Sequence, residues 1–324
     1  MEKRAIPRLG TEVGVVGLGT WQFGGEWGPV DEDQALATIH AAVESGVTLL
    51  DTADVFGDGR SERVIGRYLA SHPLTHVLVA TKMGQRGPQD PAAYTLDNFR
   101  AWTDRSRTNL GVDVLDLVHL QCPPAEVYRR DAVFEALDVL VDEKRISGYG
   151  MSVRTCAEAL AAIARPGVAS IQVVLNPLRP KPIEEVLPAA VEAGVAVFAR
   201  VPLASGLLAG AYHESTPFGP QDRRCDPLAT GDGETFGGID LHTGLAAVRK
   251  LESVLPPGLP MAQFALRWTL DQPGVTAVLP GARSAAQARC NAAAAELRPL
   301  HIDAQARIAE VYDEVVRPLL HHRW

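Results

Sequence analysis

Two kinds of apolar pattern alternate along the chain. Short runs, many of them β-branched, read as buried strands, and stretches whose apolar positions recur every three or four residues read as amphipathic helices. The strand-like runs cover 13–18, 47–50, 77–82, 115–121, 149–153, 171–176, 195–200 and 275–282. Helical spacing covers 31–44, 61–70, 96–110, 131–143, 155–164, 184–193, 245–255, 261–270, 284–297 and about 303–320. In the first helix Leu36, Ile39 and Val43 share a face, Asp31, Glu32 and Asp33 favour the helix N-terminus, and Gly46 ends the element.

Eight strands, each followed by helix, favour parallel pairing and closure into a single α/β domain over residues 1–324, a (β/α)8 TIM barrel; an open doubly wound sheet is the alternative. No shift in composition marks a domain boundary. Residues 213–238, rich in Gly, Pro and Asp, have no periodicity and read as a long loop of the kind that forms lids.

Composition narrows the function classes. With 46% hydrophobic and 22% charged residues the chain resembles an ordinary globular protein with a large core. A net charge of -8 and a pI near 5.6 argue against nucleic acid as a main partner. The opening MEKRAIPRLG lacks a secretory apolar region and no run is long enough to span a bilayer, so a cytoplasmic protein without membrane partners is expected. Cys122, Cys156, Cys225 and Cys290 have no CxxC spacing, which suggests neither a metal site nor a disulfide framework. The glycines of GLGTWQFGG do not form the GxGxxG dinucleotide fingerprint.

In a barrel of this kind, chemistry comes from residues at the C-terminal ends of strands. Those positions hold Asp51, Lys82, Gln121, Ser152, Asn176, Arg200 and, after the last strand, Arg283. Any one of them could cap a helix or hold a loop. A lysine ending a buried strand needs a partner, because an isolated buried ammonium is costly, and Asp51 is the natural one. Asp51 opens DTADVFGDGRSE, in which Gly57 and Gly59 shape a turn and Ser61–Glu62 begins a helix.

These residues resemble the aldo-keto reductase superfamily nearly from end to end, in particular a bacterial branch. The matching pieces are GLGTW, DTAxxxGxGxSE, VATKMG, LDL-x4-CPP, GMS, Gln172 with Asn176, RVPLASGLLAG, AQFALRW and PGARSAAQARCN. The resemblance implies an NAD(P)H-dependent oxidoreductase, with NADPH expected and NADH less so, acting on a small-molecule substrate. By position it implies that Thr20 and Trp21 border the nicotinamide, that Ser152 and Gln172 meet its carboxamide, and that Arg200 stacks on it. Leu203, Ser205 and Leu207 would follow the pyrophosphate; Gly281, Arg283, Gln287 and Asn291 would take the adenosine end, with Arg283 toward the 2′-phosphate. Asp51 would, by the same resemblance, border both cofactor and chemistry. Ala211 stands where relatives often place a lysine, which makes the NADPH preference less secure than NAD(P)H binding.

Two positions depart from the family pattern. The family chemistry uses an aspartate, a tyrosine, a lysine and a histidine; Asp51 and Lys82 match, whereas Phe56 occupies the tyrosine position and Gln121 the histidine position. His119 lies one inward step deeper on the same strand and reads as a core residue. Loss of a positioned general acid costs about 10²- to 10⁴-fold in rate. Three readings follow: a reductase of a carbonyl, enone or imine-like substrate protonated by Lys82, water or the substrate; a redox-neutral lyase, isomerase or cyclase using Lys82; or a non-catalytic NADPH-binding protein or inactivated variant. Trp21, Trp27, Gln85, Arg86 and the 213–238 loop are expected to surround the substrate, whose identity, like the oligomeric state, the sequence does not give.

Overall fold

The computed structural model describes residues 1–219, 222, 224 and 235–324 of the 324-residue chain. A hairpin of β1 (Lys3–Ile6) and β2 (Thr11–Gly14) precedes eight strands: β3 (Leu18–Gly19), β4 (Leu49–Asp51), β5 (Leu78–Met83), β6 (Leu117–Gln121), β7 (Tyr149–Ser152), β8 (Val168–Val174), β9 (Ala196–Arg200) and β10 (Ala277–Leu279). Each of these eight pairs in parallel with the next. Parallel bridges Val16–Val278 and Gly19–Gly281 bring the first strand back to the last, with Gly17 N–H donating to Val278 O at 2.9 Å and Gly19 N–H to Pro280 O at 3.0 Å. The barrel therefore closes, and the open-sheet alternative is excluded.

Around it lie α1 (Glu32–Glu44), α2 (Arg60–Ser71), α3 (Leu96–Leu110), α4 (Asp131–Asp142), α5 (Cys156–Ile163), α6 (Pro182–Ala193), α7 (Leu241–Glu252), α8 (Met261–Leu270), α9 (Ala285–Ala292), α10 (Ile302–Val315) and α11 (Arg317–Leu320). Their starts follow the local chemistry: Asp31, Thr95, Asp240 and Ser284 each accept a backbone N–H three residues ahead, and Thr155 with Glu158 forms a reciprocal capping box. None of the helices in the described residues is long and apolar enough to cross a membrane.

Several boundaries differ from expectation, among them β8, which runs Val168–Val174 so that Asn176, expected at its end, lies two residues beyond it. The run at 13–18 is not one strand: it ends β2 and, after a break, begins β3, so that the hairpin can fold under the barrel. The capping carboxylate of Asp240 starts α7 four residues earlier than the apolar spacing suggests. The 284–297 helix tightens into a 3-10 turn at Ala293–Glu296. The C-terminal helix breaks at Val316, where Pro318 removes a backbone donor and crowds the preceding turn. Cys225 and most of the expected 213–238 loop lie outside the described residues; Thr235–Gly238 forms a 3-10 turn.

Inside the barrel the side chains form layers. The lower one consists of Leu49, Ala80, Leu117, Ala196 and Ala277, closed from beneath by Ile6 and Val13 of the hairpin. Full burial of a leucine or isoleucine side chain contributes about 1.5–3 kcal/mol. His119 fills the next level, its Nε2 2.9 Å from Ser170 Oγ and its ring edge-on to Phe198 with centroids 6.2 Å apart. Room for that ring comes from Gly150, where a Cβ would lie 2.7 Å from His119 Cδ2 and 2.4 Å from Ser170 O.

Candidate functional site

One step further up each strand, two residues along and on the same inward face, the apolar filling gives way to polar side chains. Asp51 ends β4, Lys82 stands near the end of β5, and Gln121, Ser152 and Arg200 end β6, β7 and β9, with Gln172 on β8. These strand ends open into a cleft of ≈ 720 Å³.

Lys82 and Asp51 form its floor, 4% and 7% exposed. Lys82 Nζ donates to Asp51 Oδ1 and Oδ2, both at 2.7 Å, and to Thr52 O at 2.8 Å. Three acceptors thus match the three N–H groups of an ammonium. Gln172 Nε2 donates to Asp51 Oδ1 at 2.6 Å, leaving Gln172 Oε1 buried without a partner. Burial pulls the Lys82 ammonium below its ordinary range, and Asp51 pulls the other way.

Phe56 lies over this pair. Lys82 Nζ is 5.3 Å from its ring centroid, and Trp21 is stacked on Phe56 at 5.3 Å with the planes 10° apart. Trp27 meets Trp21 edge-on at 5.3 Å, and Trp21 Nε1 is held by Glu26 Oε2 at 2.7 Å. The loop that carries Phe56 is pinned by a close backbone approach: a Cβ on Gly57 would fall 2.6 Å from Gly24 O, and the Gly57 φ of 59° is itself a glycine conformation. Arg60 adds donations to Phe23 O and Val30 O.

Beneath the loop a chain of hydroxyls runs from Thr52 to Ser61 (3.0 Å), from Ser61 to Thr20 (2.8 Å) and from Thr20 to Asp51 O (2.8 Å). Glu62 accepts from Thr81 Oγ1 at 2.6 Å and Asn109 Nδ2 at 2.8 Å. Asp54, buried beside it, has an unpartnered Oδ1; burial, reinforced by Glu62, pushes its carboxyl up to about 7. His119 goes the other way: burial, reinforced by Lys82, pushes it down to about 3, so it is neutral at physiological pH.

Of the expected site residues, Trp21, Asp51, Phe56, Lys82, Gln121, Ser152, Gln172, Arg200, Leu203, Ser205, Gly281, Arg283, Gln287 and Asn291 all line the one cleft, as does Ala211. Thr20, Leu207 and Arg86 do not: the Thr20 hydroxyl belongs to the chain beneath the loop, Leu207 packs into the core against α7, and Arg86 turns to Asp58. Arg200 Nη2 donates to Val153 O at 2.7 Å, and Arg283 Nη2 to Pro29 O at 3.2 Å. The backbone leaves β6 and β9 through left-handed residues, Cys122 at φ 45° and the β-branched Val201 at φ 51°, a conformation costing on the order of 1–3 kcal/mol each.

Sequence reasoning missed Gln22, Cys122, Arg154, Tyr212 and Arg224, which also line the cleft. Gln22 covers Gly281, where a Cβ would meet its Nε2 at 2.1 Å, and its Oε1 is buried and unpartnered. Arg154 had a legible signal, a charge two residues beyond a strand end. Arg224, paired with Asp222 and set among Trp27, Tyr212 and Phe218, lies within the 213–238 segment expected at the substrate, but nothing in the sequence singled out that one residue.

A family model described as "Aldo/keto reductase family" matches residues 15–313. The aldo-keto reductase YhdN of Bacillus subtilis is 30% identical over 294 residues, covering 89% of this chain and 86% of its own. An uncharacterized oxidoreductase of Mycobacterium bovis, Mb2320, is 35% identical over 308 residues, covering 92% of this chain and 88% of its own. Among solved structures, the glycerol dehydrogenase of Gluconobacter oxydans superposes with a TM-score of 0.78 at 29% identity, over 97% of this chain and 96% of that one.

Proposed function

The chain belongs to the aldo/keto reductase family, and from that premise we propose that it is an NADPH-dependent oxidoreductase whose hydride acceptor, a small carbonyl, enone or imine-like compound, is reduced without a phenolic acid. The observation that carries this reading is the floor of the cleft. Lys82 and Asp51 are buried as a closed pair, and the side chain lying over them is Phe56, which has no proton to give.

The cleft suits the cofactor. Gln172 Oε1 and Gln22 Oε1 are buried acceptors left without partners, and Ser152 and Arg200 border the same end as Gln172. Ser152, Gln172 and Arg200 would hold the nicotinamide, Leu203 and Ser205 the pyrophosphate, and Gly281, Arg283, Gln287 and Asn291 the adenosine part, the Arg283 guanidinium suiting a 2′-phosphate. When bound, the dihydronicotinamide supplies a hydride.

Lys82 has its three N–H groups committed to Asp51 and Thr52, so it acts on an acceptor through its field and not as a proton donor. Gln121 brings a side-chain amide to the cleft wall with its Oε1 buried and unpartnered. An amide can orient an acceptor atom by hydrogen bonding but does not surrender a proton at neutral pH, so the proton that completes the reduction comes from solvent water. Acceptors that take hydride with little help at oxygen, such as conjugated double bonds and iminium-like carbons, fit this set better than simple ketones. Redox-neutral use of Lys82 as a base is disfavoured, since it would have to break the bidentate contact with Asp51.

The test combines binding with a restored hydroxyl. NADPH titration followed by fluorescence should saturate, and Phe56→Tyr should reduce simple aldehydes at least about 10²-fold faster than the wild type. Absence of NADPH binding, or equal aldehyde rates for the two proteins, would refute the proposal.

A further inference from the structure

Beside Gln121 the cleft wall carries a guanidinium that no acid among the described residues answers, Glu158 taking only the backbone N–H of the same residue at 2.8 Å. Arg154 lies just past β7, half-buried in the lining, and its side chain donates to Cys122 O at 2.8 Å; among the described residues no carboxylate pairs with it. Structural arginines elsewhere in the fold are used more fully. Arg8 donates to the carbonyls of Arg165, Pro166 and Val168 at 2.7–2.9 Å and to Ala193 O at 2.8 Å, and Arg267 grips Asp271 at 2.6 Å. Arg154 retains most of its five donors.

A second donor converges on the same place. Gln85 Nε2 donates to Gln121 O at 2.8 Å and lies 3.5 Å from Cys122 O, so Gln85 and Arg154 meet over the backbone that leaves β6. Gln121 and the aromatic pair Trp21 and Trp27 line the same cleft. A half-buried cation has lost part of its hydration, and a charge-assisted hydrogen bond from a ligand restores it. The neighbouring guanidinium, Arg200, donates to Val153 O at 2.7 Å and lies 3.8 Å from Cys122 Sγ; with Arg200 turned to the nicotinamide, Arg154 balances a single negative charge. Its planar fork of donors matches the two oxygens of a carboxylate.

We propose that Arg154 receives a carboxylate carried by the substrate, so that the substrate is a small organic acid whose carboxylate is separate from the carbonyl, enone or imine-like group that accepts hydride. That the bound acid is also the hydride acceptor rests on the oxidoreductase reading, but the binding site itself does not depend on it.

The test is calorimetric titration of the full-length protein, with and without NADPH, using trans-cinnamate, trans-cinnamamide and phenyl phosphate. Cinnamate should bind the wild type and bind Arg154→Met about 10- to 100-fold more weakly. Arg154→Lys, which keeps the charge and loses the fork, should fall between them, and cinnamamide should bind weakly to all three proteins. Failure of cinnamate to bind the wild type, equal binding to Arg154→Met, cinnamamide binding as tightly as cinnamate, or a preference for phenyl phosphate would each overturn the assignment. So would loss of NADPH binding in Arg154→Met alone, which would place Arg154 in the cofactor site. If NADPH fails to bind the wild type, the oxidoreductase reading falls, and the titrations without nucleotide still decide the role of Arg154.

Discussion

Replacement of Asp54 by asparagine tests the electrostatics under the Phe56 loop. Glu62 faces Asp54 from α2, Arg86 and Asp58 approach from the neighbouring loops, and Arg105 of α3 donates to Asp54 O at 3.1 Å. The backbone N–H of Val55 favours the anion, but burial and Glu62 outweigh it and hold the carboxyl near 7 instead of its ordinary 3.8. That separation between folded and unfolded chain corresponds to about 4 kcal/mol. The sign follows from proton uptake. Between about pH 4 and 7 the folded state binds more protons than the unfolded one, so this group's contribution is present at low pH and lost as pH rises. A carboxamide in its place cannot ionise, so Asp54→Asn should abolish that loss. Urea denaturation followed by circular dichroism, repeated from pH 4.5 to 8.5, should give curves that meet at the acid end and diverge until Asp54→Asn is more stable by about 4 kcal/mol near pH 8. Comparison at each pH cancels the titration of the other carboxylates. Parallel curves, or a variant less stable at pH 8, would refute the reasoning.

Two further outcomes follow from the buried charges. Lys82→Met leaves Asp51 with Gln172 as its remaining side-chain donor and should lower stability by about 3–5 kcal/mol, with Asp51→Asn in the same chain recovering much of the loss; denaturation midpoints of the single and double variants check this. His119, held near 3 against an ordinary 6.5, takes up its proton only on unfolding. Its contribution is complete above pH 6.5 and lost as pH falls toward 3, by up to about 1.4 kcal/mol per pH unit. His119→Gln should lack that slope, and a difference between the two proteins that is constant from pH 4 to 7 would contradict it.

Much of the barrel was legible because each strand is short, apolar and ends in a polar residue. The pattern delivered Asp51, Lys82, Gln121, Ser152 and Arg200 to one rim, and the structure has them there. The depth of His119 was legible for the same reason, since the two-residue period fixes which face a side chain takes. The hairpin was not. The apolar run that ends β2 and begins β3 is continuous in sequence, and only the pairing of Lys3–Ile6 with Thr11–Gly14 divides it. Thr20 and Leu207 carried no mark of facing away, because a hydroxyl or a leucine serves a cleft wall and a packed interior equally well. Arg154 was visible as a charge but not as an unanswered one; that property depends on which acids the fold places near it.

His119 and Gly150 constrain how this interior can change over generations. A side chain at position 150 would strike both the imidazole and the Ser170 carbonyl, so no single substitution there is neutral while the histidine remains. A shrinking change at position 119 opens a void that position 150 cannot fill, because the Ser170 carbonyl is backbone and lies 2.4 Å from a Cβ there whatever replaces the ring. The glycine is thus required by the neighbouring strand as well as by the histidine, and no compensating pair of changes offers an easy route out. A lineage that begins with this pair is expected to keep it, even as residues at the rim one layer above are exchanged for new chemistry.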